Sequence, residues 1–362
     1  MEITSEQIHD IVKQSDSEIK EFVKNAKAGC VCYGDSLMIH GALAELLEDG
    51  FNVKYIIDDT PEKQGRIVDG IEVVSRKDEK IRSEKYIIGT NSSVKRLRDS
   101  LENWGGAGRF VFMPFCKYSL WKHYDECVYI RDQILEDKKS IEIYNLAMYA
   151  QMTDYYNIDS TGYGEGNQYF AIPEFDLLSG EHFIDIGAFV GDTLDDYVNH
   201  SQVFGKYVGF EPGEEHIRAI EIRKKRLCAE WSLPDDAIEI VRAGVGEQKG
   251  KAKLSSDYSG SSSRMTFDEL EDAQIDIVKL DDYLAGQKVT FIKADIEGME
   301  VQALRGAREL IKNQKPKMAI CIYHLPWDIY KIPMLVKELN CKYKFKIRLH
   351  SKDYQELVLY CY

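Results

Sequence analysis

Two acidic residues close an apolar segment in the last third of the sequence: Asp295 and Glu297 follow residues 289–294, with Gly298 after them. The apolar segment is partly β-branched, which is typical of a central strand, and apolar residues recur at helical spacing over 301–311. Ligands of an open α/β sheet lie outside the carboxyl ends of its strands. The pattern therefore predicts an active-site edge at Asp295 and Glu297, with capping of the following helix by these acids as the alternative.

A second segment of this kind covers residues 183–193, where a short strand turns through Gly187 and Gly191 into a helix that Asp192 or its neighbour is expected to cap. A turn that binds pyrophosphate follows the pattern G-x-G-x-x-G and has no acid at the helix start. Here Phe189 occupies the place of the middle glycine, and Asp192 adds a negative charge. These residues argue against an anionic dinucleotide at this turn.

S-adenosylmethionine has no phosphate and carries a sulfonium and an α-ammonium group, so a turn flanked by Asp185 and Asp192 suits it electrostatically. The next strand ends at Glu211 and Pro212, where a carboxylate can accept both ribose hydroxyls. Taken alone, Glu211 would be read as a surface acid, but the preceding glycine turn favours the ribose contact. Small residues over 243–246 leave room for an adenine ring. The predicted cofactor-binding residues are Asp185, Gly187, Ala188, Gly191, Asp192, Thr193, Glu211, Pro212, Ala243 and Asp295.

Residues 1–115 open with an amphipathic helical pattern, followed by a strand, a helix and a second strand, which together predict a small Rossmann-like domain. A dinucleotide fingerprint needs three glycines, and only Gly34 is present, because Ser36 and Ile39 occupy the other positions. A nicotinamide dinucleotide is therefore not expected there. Asp58 follows the second strand near the place of a ribose-binding acid, so a nucleotide of another kind and a purely structural unit both stay open.

If this domain binds a nucleotide sugar, phosphate contacts are expected from amides and hydroxyls around Ser36 and Ser92, with Asp58 on a ribose or sugar hydroxyl. Asp35 opposes this hypothesis, because a carboxylate beside Ser36 repels phosphate. The hypothesis would concentrate an acceptor near the methyl donor of the C-terminal domain.

Residues 116–166 are rich in aromatic residues and helical patterns, and we interpret them as a helical connector whose polar loop 159–166 is a hinge or a lid. Residues 167–362 then form a second α/β core that ends with strand-like segments at 343–349 and 357–361. About seven residues join these segments, which allows a hairpin but not a parallel crossover. The predicted fold is thus α/β, with a mostly parallel C-terminal sheet that ends in an antiparallel strand.

The composition argues against several partners. The 61 acidic residues outnumber the 47 basic ones, and the formal net charge of −14 argues against nucleic acid and anionic membrane surfaces. No apolar run reaches the ~18 residues that span a bilayer, and the first residues show no signal region, so we expect a cytoplasmic protein without membrane insertion. The eight cysteines are scattered, and Cys30 and Cys32 lack a second pair at zinc spacing, so no metal site is expected there.

The combination of motifs resembles the FkbM family of S-adenosylmethionine-dependent methyltransferases over about residues 167–362. The motifs are 185–193 (DIGAFVGDT), 210–212 (FEP), 280–284 (LDDYL), 293–298 (KADIEG) and 303–307 (ALRGA). Residues 320–324 (ICIYH) and the end of the chain resemble the branch of this family that has an extra N-terminal Rossmann-like domain. Residues 57–74 are similar to the sugar-nucleotide-binding domain of bacterial sugar acetyltransferases. The resemblance implies a class I methyltransferase fold and O-methylation of sugar or natural-product hydroxyls, often in polysaccharide biosynthesis.

This resemblance predicts in-line transfer of a methyl group from a sulfonium to a hydroxyl oxygen, accelerated by alignment of the reactants. His324 follows the strand-like segment 317–323, and an imidazole of ordinary pKa titrates near neutrality, which favours His324 as the base. Asp295 would orient the acceptor or the methionine ammonium group, and Glu297 would shape the turn. A divalent ion such as Mg²⁺ bridging Asp295 and Glu297 is the alternative to a metal-free site.

Two other classes of function stay open: a nicotinamide-dependent sugar-modifying oxidoreductase, and a non-catalytic sugar-nucleotide-binding partner of a glycan-assembly complex. The absent G-x-G-x-x-G pattern argues against the first class. The second class requires Asp295 and His324 to be idle, which a turnover assay decides. The expected partner is a sugar, nucleotide-sugar or glycan acceptor, and a homo-oligomer is compatible with the sequence.

Overall fold

The computed structural model describes residues 3–90, 97, 99–101, 104, 109–153, 167–177, 179–256, 263–266, 275–351 and 356–362. The chain divides into two compact units. The N-terminal unit comprises Met1–Val128, Tyr144–Ile158 and Leu325–Trp327, and the C-terminal unit comprises Tyr129–Ile143, Asp159–His324 and Asp328–Tyr362. The domain boundaries placed after residues 115 and 166 stay a prediction. The loop 159–166 and Ser92 lie outside the described residues.

A predominantly parallel sheet forms the centre of the N-terminal unit. Its strands are β1 (Cys30–Tyr33), β2 (Val53–Ile57), β3 (Ile67–Val68), β4 (Ile71–Val74), β5 (Tyr86–Gly89) and β6 (Val111–Pro114). The order across the sheet is β3-β4-β2-β1-β5-β6, and β3 and β4 alone pair antiparallel. The strand–helix–strand opening predicted for this region is therefore confirmed.

The helix Ser5–Ala26 shows how the sequence specifies its elements. Thr4 and Gln7 form a capping box at its start, and buried Ile8, Val12 and Ile19 recur on one face. Other described helices of this part of the chain are Ile39–Glu48, Phe115–Lys122 and Tyr124–Tyr129, with the short 3-10 helices Pro61–Lys63 and Glu79–Ile81. The helix Lys138–Thr153 begins in the residue range of the C-terminal unit and ends in that of the N-terminal unit.

The C-terminal unit contains two sheets. Its strands are β7 (His182–Ile186), β8 (Lys206–Phe210), β9 (Ile238–Val241), β10 (Gly244–Val245), β11 (Gly250–Ser256), β12 (Ser263–Thr266), β13 (Ile275–Val278), β14 (Phe291–Ala294), β15 (Lys317–Cys321), β16 (Phe345–Leu349) and β17 (Leu357–Cys361). The main sheet has the order β16-β17-β15-β14-β7-β8-β9, and the smaller sheet has the order β10-β13-β11-β12. In the main sheet β17 runs antiparallel to β15 and β16, while the other neighbours are parallel, which confirms the predicted fold.

Helices follow the strands of the main sheet. They are Asp192–His200, Glu214–Trp231, Leu280–Tyr283, Glu300–Gly306, Arg308–Gln314 and Asp328–Leu339, with the 3-10 turn Pro173–Phe175 and the π-helical turn Ile130–Ile134. The single helix expected over 301–311 is two helices that meet at Ala307. No helix in the described part of the chain is long and apolar enough to cross a membrane.

Aromatic side chains hold the two central strands of the main sheet together. The buried rings of Phe183 on β7 and Phe291 on β14 have centroids 4.7 Å apart, and Phe175 meets Phe291 edge-on at 5.1 Å. The strands end at the same edge, where Ile186 pairs with Ala294. The turn after β7 and the acids after β14 are therefore neighbours.

Candidate active site

A cavity of about 270 Å³ lies at the carboxyl ends of β7, β8 and β14 in the C-terminal unit. Its lining includes the predicted residues Gly187, Asp192, Thr193, Glu211, Pro212, Ala243, Asp295 and Glu297. It also includes side chains that the sequence analysis did not propose: Tyr169, His216, Lys293, Tyr323 and Glu356. Asp185, Ala188, Gly191 and His324 are not part of this lining, and their predicted roles stay predictions.

The glycine turn after β7 lies very close to the end of β14. Gly187 has a φ of +87°, and a Cβ atom at this position would lie 2.0 Å from the carbonyl oxygen of Asp295. Its amide donates to the carbonyl of Phe210 at 3.0 Å, which ties the turn to β8. Gly191, with a φ of +80°, is the N-cap of the helix Asp192–His200, so the expected cap at Asp192 or Thr193 is wrong. The backbone itself thus forms one wall of the cavity.

Glu211 is buried at the tip of β8, with 5% of its surface exposed. Its Oε1 accepts from the amide of Gly213 at 2.7 Å and lies 3.1 Å from Nδ1 of His216. Its Oε2 accepts from the amide of Phe189 at 3.0 Å. Each carboxylate oxygen can accept more than one hydrogen bond, so Oε2 keeps capacity for a ligand hydroxyl in the cavity.

Asp185 is fully buried and supports the turn through Lys293. Its Oδ2 accepts from the hydroxyl of Tyr207 at 2.6 Å, and its Oδ1 lies 3.0 Å from Nζ of Lys293. The same Nζ donates to the carbonyl of Gly187 at 2.6 Å. Burial lowers the pKa of Lys293, but the carboxylates of Asp185 and Asp295 raise it above its ordinary value. These contacts tie Asp185 to the glycine turn, and its predicted contact with a cofactor stays a prediction.

Asp295 faces the cavity between two partners. Its Oδ2 accepts from the hydroxyl of Tyr169 at 2.8 Å, and its Oδ1 lies 3.3 Å from Nε2 of His324. Burial raises the pKa of Asp295, but His324 and Lys293 together hold it well below the usual range. The helix Glu300–Gly306 has no side-chain cap, which removes the alternative that Asp295 caps it.

His324 lies behind Asp295 with 4% of its side chain exposed. Its Nδ1 is 3.0 Å from Oε1 of Glu300, which is fully buried and also accepts from the amide of Ile296 at 2.8 Å. Burial lowers the pKa of His324, but Glu300 and Asp295 raise it well above the ordinary value. The pKa of this ring therefore lies above the near-neutral range that the sequence analysis assumed, which argues against His324 as the base.

Glu297 and Glu356 complete the wall around Asp295. Glu297 has a φ of +55°, an unusual conformation for a residue with a side chain. This conformation is part of the turn after β14, which the sequence analysis expected Glu297 to shape. Burial raises the pKa of Glu297 and of Glu356 above their ordinary values, and Asp295 adds to both effects. Glu356 also accepts from the side-chain amide of Gln168.

The cavity is strongly acidic. Its lining contains the carboxylates of Asp192, Glu211, Asp295, Glu297 and Glu356. The basic side chains in the same lining are Lys293 and His216, and both already face carboxylates. Such a cavity favours a ligand with positive charge and disfavours a pyrophosphate.

The residues expected to bind a nucleotide at the edge of the N-terminal sheet make contacts within the protein. Oδ2 of Asp58 accepts from the amide of Asp35 at 3.1 Å, and Oδ1 accepts from the amide of Thr60 at 2.8 Å. The hydroxyl of Ser36 donates to the carbonyl of Thr90. Groups expected to meet a nucleotide therefore already close the turns, which favours the structural alternative for this unit.

One solved structure matches the fold over nearly the whole chain. A methyltransferase FkbM from Methylobacillus flagellatus KT matches 99% of this chain and 98% of its own, with 18% identity and a TM-score of 0.59. Fibrillarin from Aeropyrum pernix, with natively bound S-adenosyl-L-methionine, covers 53% of this chain and 71% of its own at 11% identity and a TM-score of 0.34. An rRNA methylase from Streptococcus thermophilus covers 51% and 87% at 13% identity and a TM-score of 0.31.

No curated protein matches the sequence. A family model does match: residues 185–345 fit the methyltransferase FkbM domain. This range begins at Asp185 below the glycine turn and includes Glu211, Asp295 and His324. The C-terminal part of this chain therefore contains a domain that is similar to the methyltransferase domain of the FkbM family.

Proposed function

We propose that the protein transfers a methyl group to a hydroxyl of a sugar or glycan precursor, with S-adenosylmethionine bound in the acidic cavity. The observation that carries this proposal is the charge of the lining, where five carboxylates face two basic groups that are already paired. A ligand with a sulfonium and an ammonium group fits such a lining, whereas a nicotinamide dinucleotide brings two phosphates. The oxidoreductase alternative is therefore disfavoured.

The residues that would hold the cofactor are spread over three strand ends. Glu211 would accept from the ribose hydroxyls, Ala243 and its neighbours would border the adenine, and Asp192 with Thr193 would border the amino-acid end. When bound, S-adenosylmethionine supplies a methyl group whose bond to sulfur breaks, with the electron pair left on sulfur, as the acceptor oxygen bonds to the carbon.

The acidic wall would bind the acceptor. Asp295 has a depressed pKa, so its carboxylate remains charged and can accept a hydrogen bond from the acceptor hydroxyl. Glu297 and Glu356 have raised pKa values, which makes them better proton acceptors than an ordinary carboxylate. The proton of the hydroxyl would pass to this pair. His324, paired with Glu300, would hold Asp295 in place rather than act as the base.

Neighbouring hydroxyls on a sugar ring match this wall, because several carboxylates can accept from two hydroxyls at once. The family resemblance of the sequence points to the same class of acceptor. The non-catalytic alternative would leave this wall without a role.

A screen for methyl transfer tests the proposal. Full-length protein is incubated with S-adenosylmethionine labelled on the methyl group and with free sugars, nucleotide sugars and lipid-linked glycans. We expect a labelled methyl ether from at least one acceptor and a loss of about 10²-fold or more in Asp295→Asn. Label on nitrogen or carbon, or an unchanged rate in Asp295→Asn, would contradict the proposed reaction.

A further inference from the structure

The side chain of His324 lies among carboxylates at one corner of the acidic cavity. Nε2 of His324 lies 3.3 Å from Oδ1 of Asp295 and 4.0 Å from Oε2 of Glu297. Asp295, Glu300 and His324 each place a potential ligand atom within 4.8 Å of the others. An imidazole nitrogen thus lies near the two carboxylates that line the cavity.

The spacing of these atoms is that of a coordination shell. Nitrogen and carboxylate ligands bind first-row divalent metals at about 2.0–2.2 Å, so two ligands of one ion lie about 3–4 Å apart. Both distances at Nε2 of His324 agree with this spacing. A shared cation would therefore need only small movements of these side chains.

Asp295 and His324 are each oriented by a further side chain. The hydroxyl of Tyr169 holds Oδ2 of Asp295 at 2.8 Å and leaves Oδ1 towards His324. Oε1 of Glu300 lies 3.0 Å from Nδ1 of His324 and is itself fixed by the amide of Ile296. A histidine that binds metal through one nitrogen commonly donates its other N–H to a carboxylate, which orients the ring.

The ring of His324 also has unused capacity. Its side chain is 4% exposed, and Nε2, the nitrogen opposite Glu300, makes no hydrogen bond with any described residue. Oε2 of Glu300 is likewise buried without a hydrogen-bond partner. Buried polar atoms are normally satisfied, so Nε2 of His324 has the capacity to bind a ligand.

We propose that His324, Asp295 and Glu297 bind a divalent transition-metal cation that holds the hydroxyl groups of the acceptor. The imidazole ligand favours Fe²⁺ or Zn²⁺ over Mg²⁺, which prefers a shell of oxygen atoms, and the two carboxylates also suit Mn²⁺. This differs from the Mg²⁺ alternative of the sequence, which used the two carboxylates alone. Three protein ligands leave positions open for one or two acceptor oxygens, as in catalytic metal sites.

The inference rests on the proposed function and deepens it. A hydroxyl bound to the cation becomes more acidic, since the cation stabilises the negative oxygen that attacks the methyl carbon. The proton of this hydroxyl is transferred to the carboxylate of Glu356, which lines the same wall and is not a ligand of the cation. Glu300 and Tyr169 are then positioning residues, because they act through His324 and Asp295.

Direct binding of Mn²⁺ to the full-length protein tests the site. Protein freed of metals with a chelator is titrated with Mn²⁺ and followed by electron paramagnetic resonance. We expect one bound Mn²⁺ per chain, with affinity lowered about 100-fold or more in His324→Gln and Asp295→Asn. Glu300→Gln keeps the shape of the side chain and should weaken binding 10- to 100-fold. His200→Gln, which changes an exposed histidine on another helix, is the matched control and should bind normally.

Calorimetric binding of S-adenosylhomocysteine to the wild type separates the two proposals, and thermal unfolding confirms that each variant is folded. Unchanged Mn²⁺ affinity in both His324→Gln and Glu300→Gln, or no stoichiometric binding by the wild type, overturns the metal site. If chelated protein also methylates at full rate, the proposed function stands without the cation. If Mn²⁺ binds but S-adenosylhomocysteine does not, the proposed function fails while the metal site remains.

Discussion

The ammonium group of Lys293 lies 3.0 Å from Oδ1 of Asp185, and both side chains are buried. The two residues occupy paired positions on the adjacent strands β14 and β7. Because Lys293 also donates to the carbonyl of Gly187, one ion pair joins the two strands to the glycine turn. The site therefore depends on a buried lysine whose charge is paired inside the protein.

Replacing Lys293 with methionine should lower the stability of the C-terminal unit by about 3–5 kcal/mol, because Asp185 would be left as an unpaired buried carboxylate. Thermal unfolding measures the change. The exposed Lys288→Met is the matched control and should stay within about 0.5 kcal/mol of the wild type. Addition of Asp185→Asn to Lys293→Met should recover part of the loss. Equal melting temperatures for both single variants would show that the ion pair is not structural.

Gly187→Ala should abolish tight binding of S-adenosylhomocysteine, because its Cβ would overlap the carbonyl oxygen of Asp295. Gly286→Ala separates this overlap from backbone strain. Gly286 also has a positive φ, of +75°, but a Cβ there meets nothing within 4 Å. We expect Gly286→Ala to cost about 1 kcal/mol of stability and to leave binding intact. Similar binding by the two variants would mean that the turn does not form the cofactor wall.

Much of this site was readable in the sequence, since local patterns specify strand ends and glycine turns. The segments after β7, β8 and β14 were predicted from apolar runs that end in Gly187, Glu211 and Asp295, and all three line the cavity. The lysine in β14 was the one available signal of a buried charge, because a lysine within an apolar strand needs a partner. Its partner Asp185 depends on the strand order, which a single sequence does not give.

The remaining residues come from segments that are distant in the chain. Tyr169 and Glu356 reach the wall from either end of the C-terminal unit, and no local pattern links them to Asp295. Glu300 lies on a helix whose acids would be read as solvent-exposed, yet it is fully buried beside His324. That pairing raises the pKa of His324 above that of an ordinary imidazole, which no local sequence pattern indicates.

Acid should weaken the C-terminal unit partly through Asp137. Its Oδ2 accepts from Arg348 at 2.8 Å, and its Oδ1 accepts from the amide of Ser140 at 2.7 Å. Burial raises its pKa, but Arg348 and Ser140 lower it from 3.8 to about 2. A depressed folded-state pKa adds stability above about pH 4 that is lost as the pH falls through about 2.

We therefore expect Asp137→Asn to lose about 1–2 kcal/mol at pH 7 and to approach the wild type near pH 2. Denaturant unfolding across this pH range measures the difference, with the exposed Asp176→Asn as control. A difference that does not change with pH would exclude the charge of Asp137 as its cause.

Glu356→Gln should reduce the methyl-transfer rate by about 10²-fold, because it removes the proposed proton acceptor while Glu211 still holds the cofactor. Burial raises the pKa of Glu356, so the wild-type rate should fall as the pH drops through a value above that of an ordinary carboxylate, and the variant should lose this limb. Steady-state kinetics across pH measures both effects. The exposed Glu230→Gln is the control; a full rate in Glu356→Gln would assign the proton to another group.

Calorimetric titration with S-adenosylhomocysteine tests most directly whether the acidic cavity is the cofactor site. Glu211 would lose its hydrogen bonds to the ribose, each worth roughly 1.5–3 kcal/mol before compensation, so Glu211→Ala should bind at least tenfold more weakly than the wild type. Glu214→Ala, an exposed acid at the start of the next helix, should bind normally. The account predicts one tight site for S-adenosylhomocysteine and weaker binding of NAD. Unchanged affinity in Glu211→Ala, or tighter binding of NAD, would contradict it.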